Sequence, residues 1–291
     1  MELVLYKKGG ILDLPRATLD PDLWEFDGQP TLREDVKDII VDSFMDWVEE
    51  QGYSTDWVQD MYFIGSSAGY QYREISDIDI TIVPNLEAFH AEISDDKEEI
   101  REFVRKMIKE LNGFLIGKHD CNYYIRMEAT IPIGEAIYNI FTDTWIKTAQ
   151  PLPPEYHPET KFKDQWLVAE ARAATIDTVI GKLRRRLSDH EILQEYSEDP
   201  DYEERIKPRL EKKEQAIDQW VQWLSREYKD LWRARNRAYE VEGTQTSSAN
   251  ILYKFLERYG YNHLMIGLRK IREEWTVEDI KELLDEFESI V

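Results

Sequence analysis

Hydrophobic positions along the chain follow two kinds of pattern, and the change between them comes about halfway. Between Thr31 and Glu50, Val36, Ile39, Ile40, Phe44, Trp47 and Val48 recur at helical spacing. This predicts an amphipathic helix with one face in the core, opened by a capping box at Thr31-Leu32-Arg33-Glu34 and ended by Gly52. A short apolar run, Met61 to Ile64, stops at Gly65-Ser66. From Asp77 to Val83, the polar Asp77, Asp79 and Thr81 alternate with Ile78, Ile80 and Ile82. Both stretches read as strands, the second with one acidic face, because side chains alternate across a strand. Helical spacing returns from Asp95 to Leu111 through Ile100, Phe103, Val104, Met107 and Ile108. Two extended segments follow, Asn122 to Ile133 and Ala136 to Thr142, and Gly134-Glu135 between them predicts an antiparallel hairpin.

Past the proline cluster Gln150-Pro151-Leu152-Pro153-Pro154, with His157-Pro158 close behind, the pattern is almost purely helical. Phe162 to Leu187 carries Leu167, Ala173, Ala174, Ile176, Val179, Ile180 and Leu183. Ile206 to Tyr239 carries Leu210, Ile217, Trp220, Val221, Leu224, Leu231 and Trp232, the pattern of a long helix packed lengthwise on others. Shorter helices are predicted at Ser247 to Tyr259 and Thr276 to Ile290. The expected fold class is therefore α+β, with a small mixed-sheet core in residues 1–150 and a mainly helical domain in residues 151–291.

Composition narrows the function classes. Thirty-seven Lys and Arg against 59 Asp and Glu give a net charge of −22, which disfavours a sequence-independent wrap around duplex nucleic acid. An acidic disordered chain is excluded by 42% hydrophobic and 12% aromatic residues. Cys121 is the single cysteine, so there is no intrachain disulfide and no cysteine-based zinc site, and a cytoplasmic setting is expected. The opening residues Met1 to Gly10 lack an apolar stretch behind a basic start, and no long apolar run occurs elsewhere, so neither a leader nor a membrane span is expected.

The candidate chemistry lies between Phe63 and Ile82. Asp77 and Asp79, two apart on a strand, point to the same face, where their mutual repulsion calls for a cation. Mg²⁺, a hard ion that prefers carboxylate and phosphate oxygens, suits such a pair, with Mn²⁺ as an alternative. Gly65 lets backbone N–H groups approach a phosphate closely, and the Ser66 hydroxyl adds a donor.

A hydrophobic strand, Gly65-Ser66, ten intervening residues and then Asp77-Ile78-Asp79-Ile80, with Ser76 directly before Asp77, resembles the signature of the polymerase β-like nucleotidyltransferase superfamily. The resemblance implies a metal-dependent enzyme that moves a nucleoside monophosphate from a nucleoside triphosphate to a hydroxyl and releases pyrophosphate. It implies triphosphate contacts from Gly65, Ser66 and Ser67, and metal binding by Asp77 and Asp79. It also implies a lysine from the helical domain, for which Lys254 is the candidate, sharing a helix face with Ser247 and Asn250. The helical domain would close a cleft over the core. Leu19-Asp20-Pro21-Asp22-Leu23-Trp24, Ile180 to Asp189 and Ser248 to Lys254 are similar to segments of nucleotidyltransferases of bacteriophage genomes, which implies a viral origin and a host-cytoplasmic setting.

That superfamily places a third carboxylate on a later strand, and the matching position here is Asn139, which cannot act as a base. Asp143 shares its face if the strand continues. Glu128 is the second candidate, and a third alternative is that no acid takes the place. The acceptor is left open among an RNA end, a small molecule, a protein and a nucleotide. A weakened, nucleotide-binding regulatory module, motivated by Asn139, and a helical scaffold with an accidental motif are the competing readings. Lys182, Arg184, Arg185 and Arg186 face either phosphates or acidic neighbours, as do Arg233, Arg235 and Arg237. Tyr70 and Tyr72 either stack on a ligand or anchor their loop. His119, His157 and His190 show no spacing that makes a metal site, so a structural or surface role is expected for them.

Overall fold

A computed structural model describes residues 12–128, 130–132, 134–153, 155–197, 203–242 and 246–290. The N-terminal decapeptide, Ile133 and Pro154 lie outside the described residues. The chain divides into two compact units, one ending at Lys161 and the other beginning at Phe162.

The first unit opens with two short paired strands, β1 (Trp24–Glu25) and β2 (Thr31–Leu32), followed by α1 (Glu34–Glu50). The capping box therefore does not form. Thr31 is spent on β2 and the residue before the helix, Arg33, makes no side-chain cap. Next come β3 (Val58–Ile64), β4 (Ile78–Pro84), α2 (Leu86–Glu92) and α3 (Lys97–Leu111). Asp96 caps α3 by accepting from the Glu98 and Glu99 amides. The unit continues with β5 (Phe114–Ile116), β6 (His119–Ile125), β7 (Ile137–Asn139), β8 (Thr144–Lys147) and the short α4 (Pro158–Lys161).

Six strands form one mixed sheet in the order β5-β6-β4-β3-β7-β8. Only β4 and β6 run parallel. The expected hairpin between the segments after Asn122 and after Ala136 is absent: β6 pairs with β4, and β7 with β3 and β8. The core rewards this arrangement, because Phe63, Ile78, Ile80, Ile82, Cys121, Tyr123 and Tyr138 then share one face, packed against Val36, Ile40 and Phe44 of α1 and Phe103 and Met107 of α3. Trp24 stacks on Phe63 and Trp145 with ring centroids 5.4 and 4.8 Å apart, and the Tyr123 hydroxyl donates to the Ile40 carbonyl at 2.8 Å. Each such side chain, taken fully out of water, contributes roughly 1.5–3 kcal/mol. Ile39, placed in the core by its spacing, is 44% exposed.

The far face of the sheet carries a small separate apolar cluster of Tyr62, Val83 and Ile137 with Ile64 against it. Asp79, Thr81 and Asn122 lie on this face, since the register pairs Ile64 with Asp79, Tyr62 with Thr81 and Asp79 with Asn122.

The second unit is helical: α5 (Lys163–Ser197), α6 (Glu203–Glu242), α7 (Ser248–Arg258), α8 (Tyr261–Ile271) and α9 (Val277–Ile290). Ile176, Val179, Ile180, Leu183 and Leu187 of α5 and Ile217, Val221 and Leu224 of α6 are buried, whereas Leu167 and Trp232 are exposed. A Cβ on Gly267 would come 2.6 Å from Leu283 Cδ2, so glycine permits the close approach of α8 and α9. The fold is thus α+β, with a mainly helical C-terminal region. Among the described residues, no helix is long and apolar enough to cross a membrane.

Candidate functional site

The turn that leaves β3 is built around Gly65. Its φ of +88° is disfavoured for any residue with a Cβ. Such a Cβ would also lie 2.5 Å from Asp79 Oδ2. The backbone conformation therefore selects glycine, and a Cβ there would in addition displace the end of the Asp79 side chain.

The loop from Ser66 to Ser76 is held from two sides. Within it, the Ser67 hydroxyl donates to the Asp77 carbonyl at 2.7 Å and the Ser76 hydroxyl accepts from the Arg73 amide at 2.9 Å. From β1, Trp24 Nε1 donates to the Ser67 carbonyl at 2.9 Å. Arg73 pairs with Asp13 at 2.8 Å, and Gln71 donates to the Asp13 carbonyl at 2.7 Å. Tyr72 is buried, with its hydroxyl on the Leu19 carbonyl and Arg16 over its ring. Tyr72 therefore anchors the loop, and Ser67, fully buried, braces it. Ser66 is half-buried and its carbonyl accepts from the Gly69 amide at 3.0 Å.

Asp77, just ahead of β4, and Asp79 within it are both half-buried and share the far face. Behind them Cys121 is fully buried, and burial pushes its thiol up to about 12, so it stays protonated and inert at neutral pH.

The two expected third acids do not join this pair. β7 ends at Asn139, and residues 140–143 turn into β8, so the strand does not continue to Asp143. Asp143 has φ +51° in that turn, pairs with Lys37 at 2.5 Å and accepts from the Tyr138 hydroxyl at 3.0 Å. Tyr138 belongs to the core face. Because β7 is antiparallel to β3, with Asn139 opposite Tyr62, Asp143 lies at the end of the sheet away from Gly65. Glu128 follows the C-terminal end of β6, where the Arg126 amide bonds the Ile82 carbonyl, and it pairs with Arg126 at 2.8 Å. That too is the end away from Asp79, by at least three residues of β4 or roughly 10 Å.

Asn139 is a turn residue. Its Oδ1 accepts from the Phe141 and Thr142 amides at 3.0 and 3.1 Å, and its Nδ2 donates to Asp60 at 2.8 Å.

One acid is brought to the pair that sequence reasoning missed. β6 runs parallel to β4 with Cys121 beside Ile78 and Asn122 beside Asp79. Extended one residue before its first pair, this register would set exposed Asp120 next to Asp77, which lies just ahead of β4. The alternation of buried His119, Cys121 and Tyr123 with Asp120, Asn122 and Tyr124 is the signal that could have revealed it, but the strand was expected to begin at Asn122.

In the helical unit, Lys254 pairs with Glu257 at 2.7 Å. Ser247 caps α7 by accepting from the Asn250 amide, and Asn250 is buried and accepts from Arg235 at 3.1 Å. The basic run is largely engaged: Lys182 lies 5.1 Å over the Trp220 ring, Arg184 pairs with Glu288, Arg185 donates to the Gly181 carbonyl, and Arg186 is 3.9 Å from Asp189.

No family model matches the chain, and neither a curated protein nor a solved structure matches it.

Proposed function

We propose that the protein is a metal-dependent nucleotidyltransferase of the polymerase β-like type, with its chemistry at the Gly65 end of the far face. The observation that carries this reading is the juxtaposition of the Gly65 backbone with the Asp79 carboxylate, too close for a Cβ, together with Asp77 on the same face. A turn that must be bare beside two acids is what binding a phosphate against a carboxylate-held cation requires.

The donor set fits a hard divalent ion such as Mg²⁺ or Mn²⁺. Asp77, Asp79 and Asp120 offer oxygens only, on a part of the surface that water reaches. Such an ion supplies charge neutralisation for the triphosphate and lowers the pKa of an acceptor hydroxyl. Gly65 and Ser66 grip the triphosphate through backbone N–H and hydroxyl donors. Ser67 and Tyr72 keep the loop in the shape that makes this grip available. Asp120 takes the role of the third carboxylate, accepting the proton of the acceptor hydroxyl. The acceptor oxygen bonds to the α-phosphorus, the bond from that phosphorus to the bridging oxygen breaks, and pyrophosphate leaves. The acidic surface favours an acceptor that is not a long duplex.

The test is incubation of the protein with each α-labelled nucleoside triphosphate and Mg²⁺ or Mn²⁺, with and without total cellular RNA. Label entering RNA, protein or a new small product with wild type, and not with Asp77→Asn/Asp79→Asn, is the expected result. Equal labelling by that double variant would refute the assignment.

A further inference from the structure

On the core side of the same end of the sheet lies a second cluster. His119 opens β6 and its side chain enters the core, 1% exposed. Asp20, in the segment before β1, is 2% exposed. His119 Nδ1 lies 2.8 Å from the Ser76 carbonyl oxygen. A carbonyl only accepts, so Nδ1 carries the hydrogen and neutral His119 presents a lone pair at Nε2. That Nε2 is buried without a hydrogen-bond partner, and so is Asp20 Oδ2, 3.6 Å away. The other Asp20 oxygen accepts from the Asp22 amide at 3.0 Å, which fixes the carboxylate. One ligand atom from each of Asp20, Asp22 and His119 lies within 4.8 Å of the others.

Two buried acceptors facing each other are costly, about 1–3 kcal/mol for each unsatisfied group and more for a charged one. A cation in reach of both removes that cost. One imidazole nitrogen with two carboxylate oxygens is a donor set for a borderline first-row ion, whereas Mg²⁺ and Ca²⁺ prefer oxygen alone. An N–H on a backbone carbonyl is also how metal-binding histidines commonly fix their tautomer. Lys118 occupies Oδ2 of Asp22 at 2.8 Å, which leaves the other oxygen of that carboxylate for an ion.

We propose that Asp20, Asp22 and His119 form a structural site for a borderline divalent first-row ion of the Zn²⁺ or Co²⁺ class, separate from the cation site at Asp77 and Asp79. The ion clamps the segment before β1 to the first residue of β6. Through the Ser76 carbonyl it also steadies the residue immediately before Asp77. Its consequence is positional: both carboxylate-bearing strands are pinned at the end where the acids emerge.

The experiment is metal binding, with no activity readout. Protein stripped with a chelator is titrated with Zn²⁺ and with Co²⁺, then dialysed and assayed for bound metal, Co²⁺ absorption and melting temperature. Wild type and Asp77→Asn/Asp79→Asn are expected to keep one equivalent and to melt higher with metal. His119→Gln is expected to lose the ion. Asp22→Asn, an exposed position that leaves the fold intact, is expected to bind at least about tenfold more weakly, since it removes a charged ligand. The proposal is overturned if wild type keeps no metal, as a protonated His119 paired with Asp20 would predict. It is equally overturned if Asp22→Asn binds like wild type, or if the Asp77/Asp79 variant alone loses the ion.

Discussion

Asp77, Asp79 and Asp120 lie at the same end of the sheet as Asp20, Asp22 and His119, on the opposite face. The first group is half-buried or exposed, offers oxygens only and sits beside a backbone kept bare by Gly65. The second is mostly buried, includes an imidazole, and among the described residues is the one trio of potential ligands that converges within 4.8 Å. Neighbours in sequence serve different groups: His119 points into the core while Asp120 points away, and the Ser76 carbonyl holds His119 while Asp77 begins the far face. In a chain of net charge −22, the count of acids says nothing about which are used. Strand parity and burial tell the groups apart: one is spread and accessible, the other tight and enclosed.

The comparison breaks most sharply at the far face. Asp79→Asn, and separately Asp77→Asn, is expected to lower nucleotidyl transfer by on the order of 10³-fold, with an unchanged melting temperature. Unchanged transfer would return both acids to the status of a solvated strand face. Asp120→Asn is expected to lower transfer by roughly 10²-fold, whereas Asp143→Asn and Glu128→Gln keep the wild-type rate. The reverse ranking would mean that the register argument misplaces the third acid. Gly65→Ala combines two effects. The φ of +88° costs about 1–2 kcal/mol with a Cβ present, read as a lower melting temperature. Displacement of Asp79 lowers transfer by up to about 10²-fold. A variant as stable and active as wild type would remove the reason for glycine there.

Smaller effects sharpen the contrast. Asp143→Asn loses the pair with Lys37, whose side chains are 25% and 46% exposed, and chemical denaturation should register no more than about 1 kcal/mol. Cys121, between the two groups and pushed up to about 12 by burial, is expected not to react with a disulfide reagent at pH 8 until denaturant is added. Rapid reaction in the native state would show that this part of the core is open.

Much of the architecture was legible because it rests on periodicity. The helical spacing of Ile100, Phe103 and Met107 and the alternation through Ile78, Ile80 and Ile82 each survive in α3 and β4. Helix α8 was not foreseen, because Gly260 with φ +78° reads as an end and the helix it introduces follows at once. Strand partners were less legible than strands. The turn Gly134-Glu135 suggested a local hairpin, yet burial of Cys121 and Tyr123 against α1 and α3 is met only when β6 lies beside β4. The same long-range pairing decides the site. Gly65, Ser66, Asp77 and Asp79 stood out as a local motif, whereas the place of Asp120 depends on the pairing of β6 with β4, about forty residues apart, and the grouping of Asp20 with His119 on a contact across roughly a hundred residues.

The central claim is that nucleotidyl transfer takes place at the Gly65 end of the far face. Its most direct test is α-label transfer measured side by side for wild type, Asp79→Asn, Asp120→Asn and Asp143→Asn with Mg²⁺ and the acceptor fraction that wild type labels. The account predicts activity in wild type and Asp143→Asn and its loss in the other two. Transfer that survives Asp79→Asn, or that disappears with Asp143→Asn alone, would contradict it.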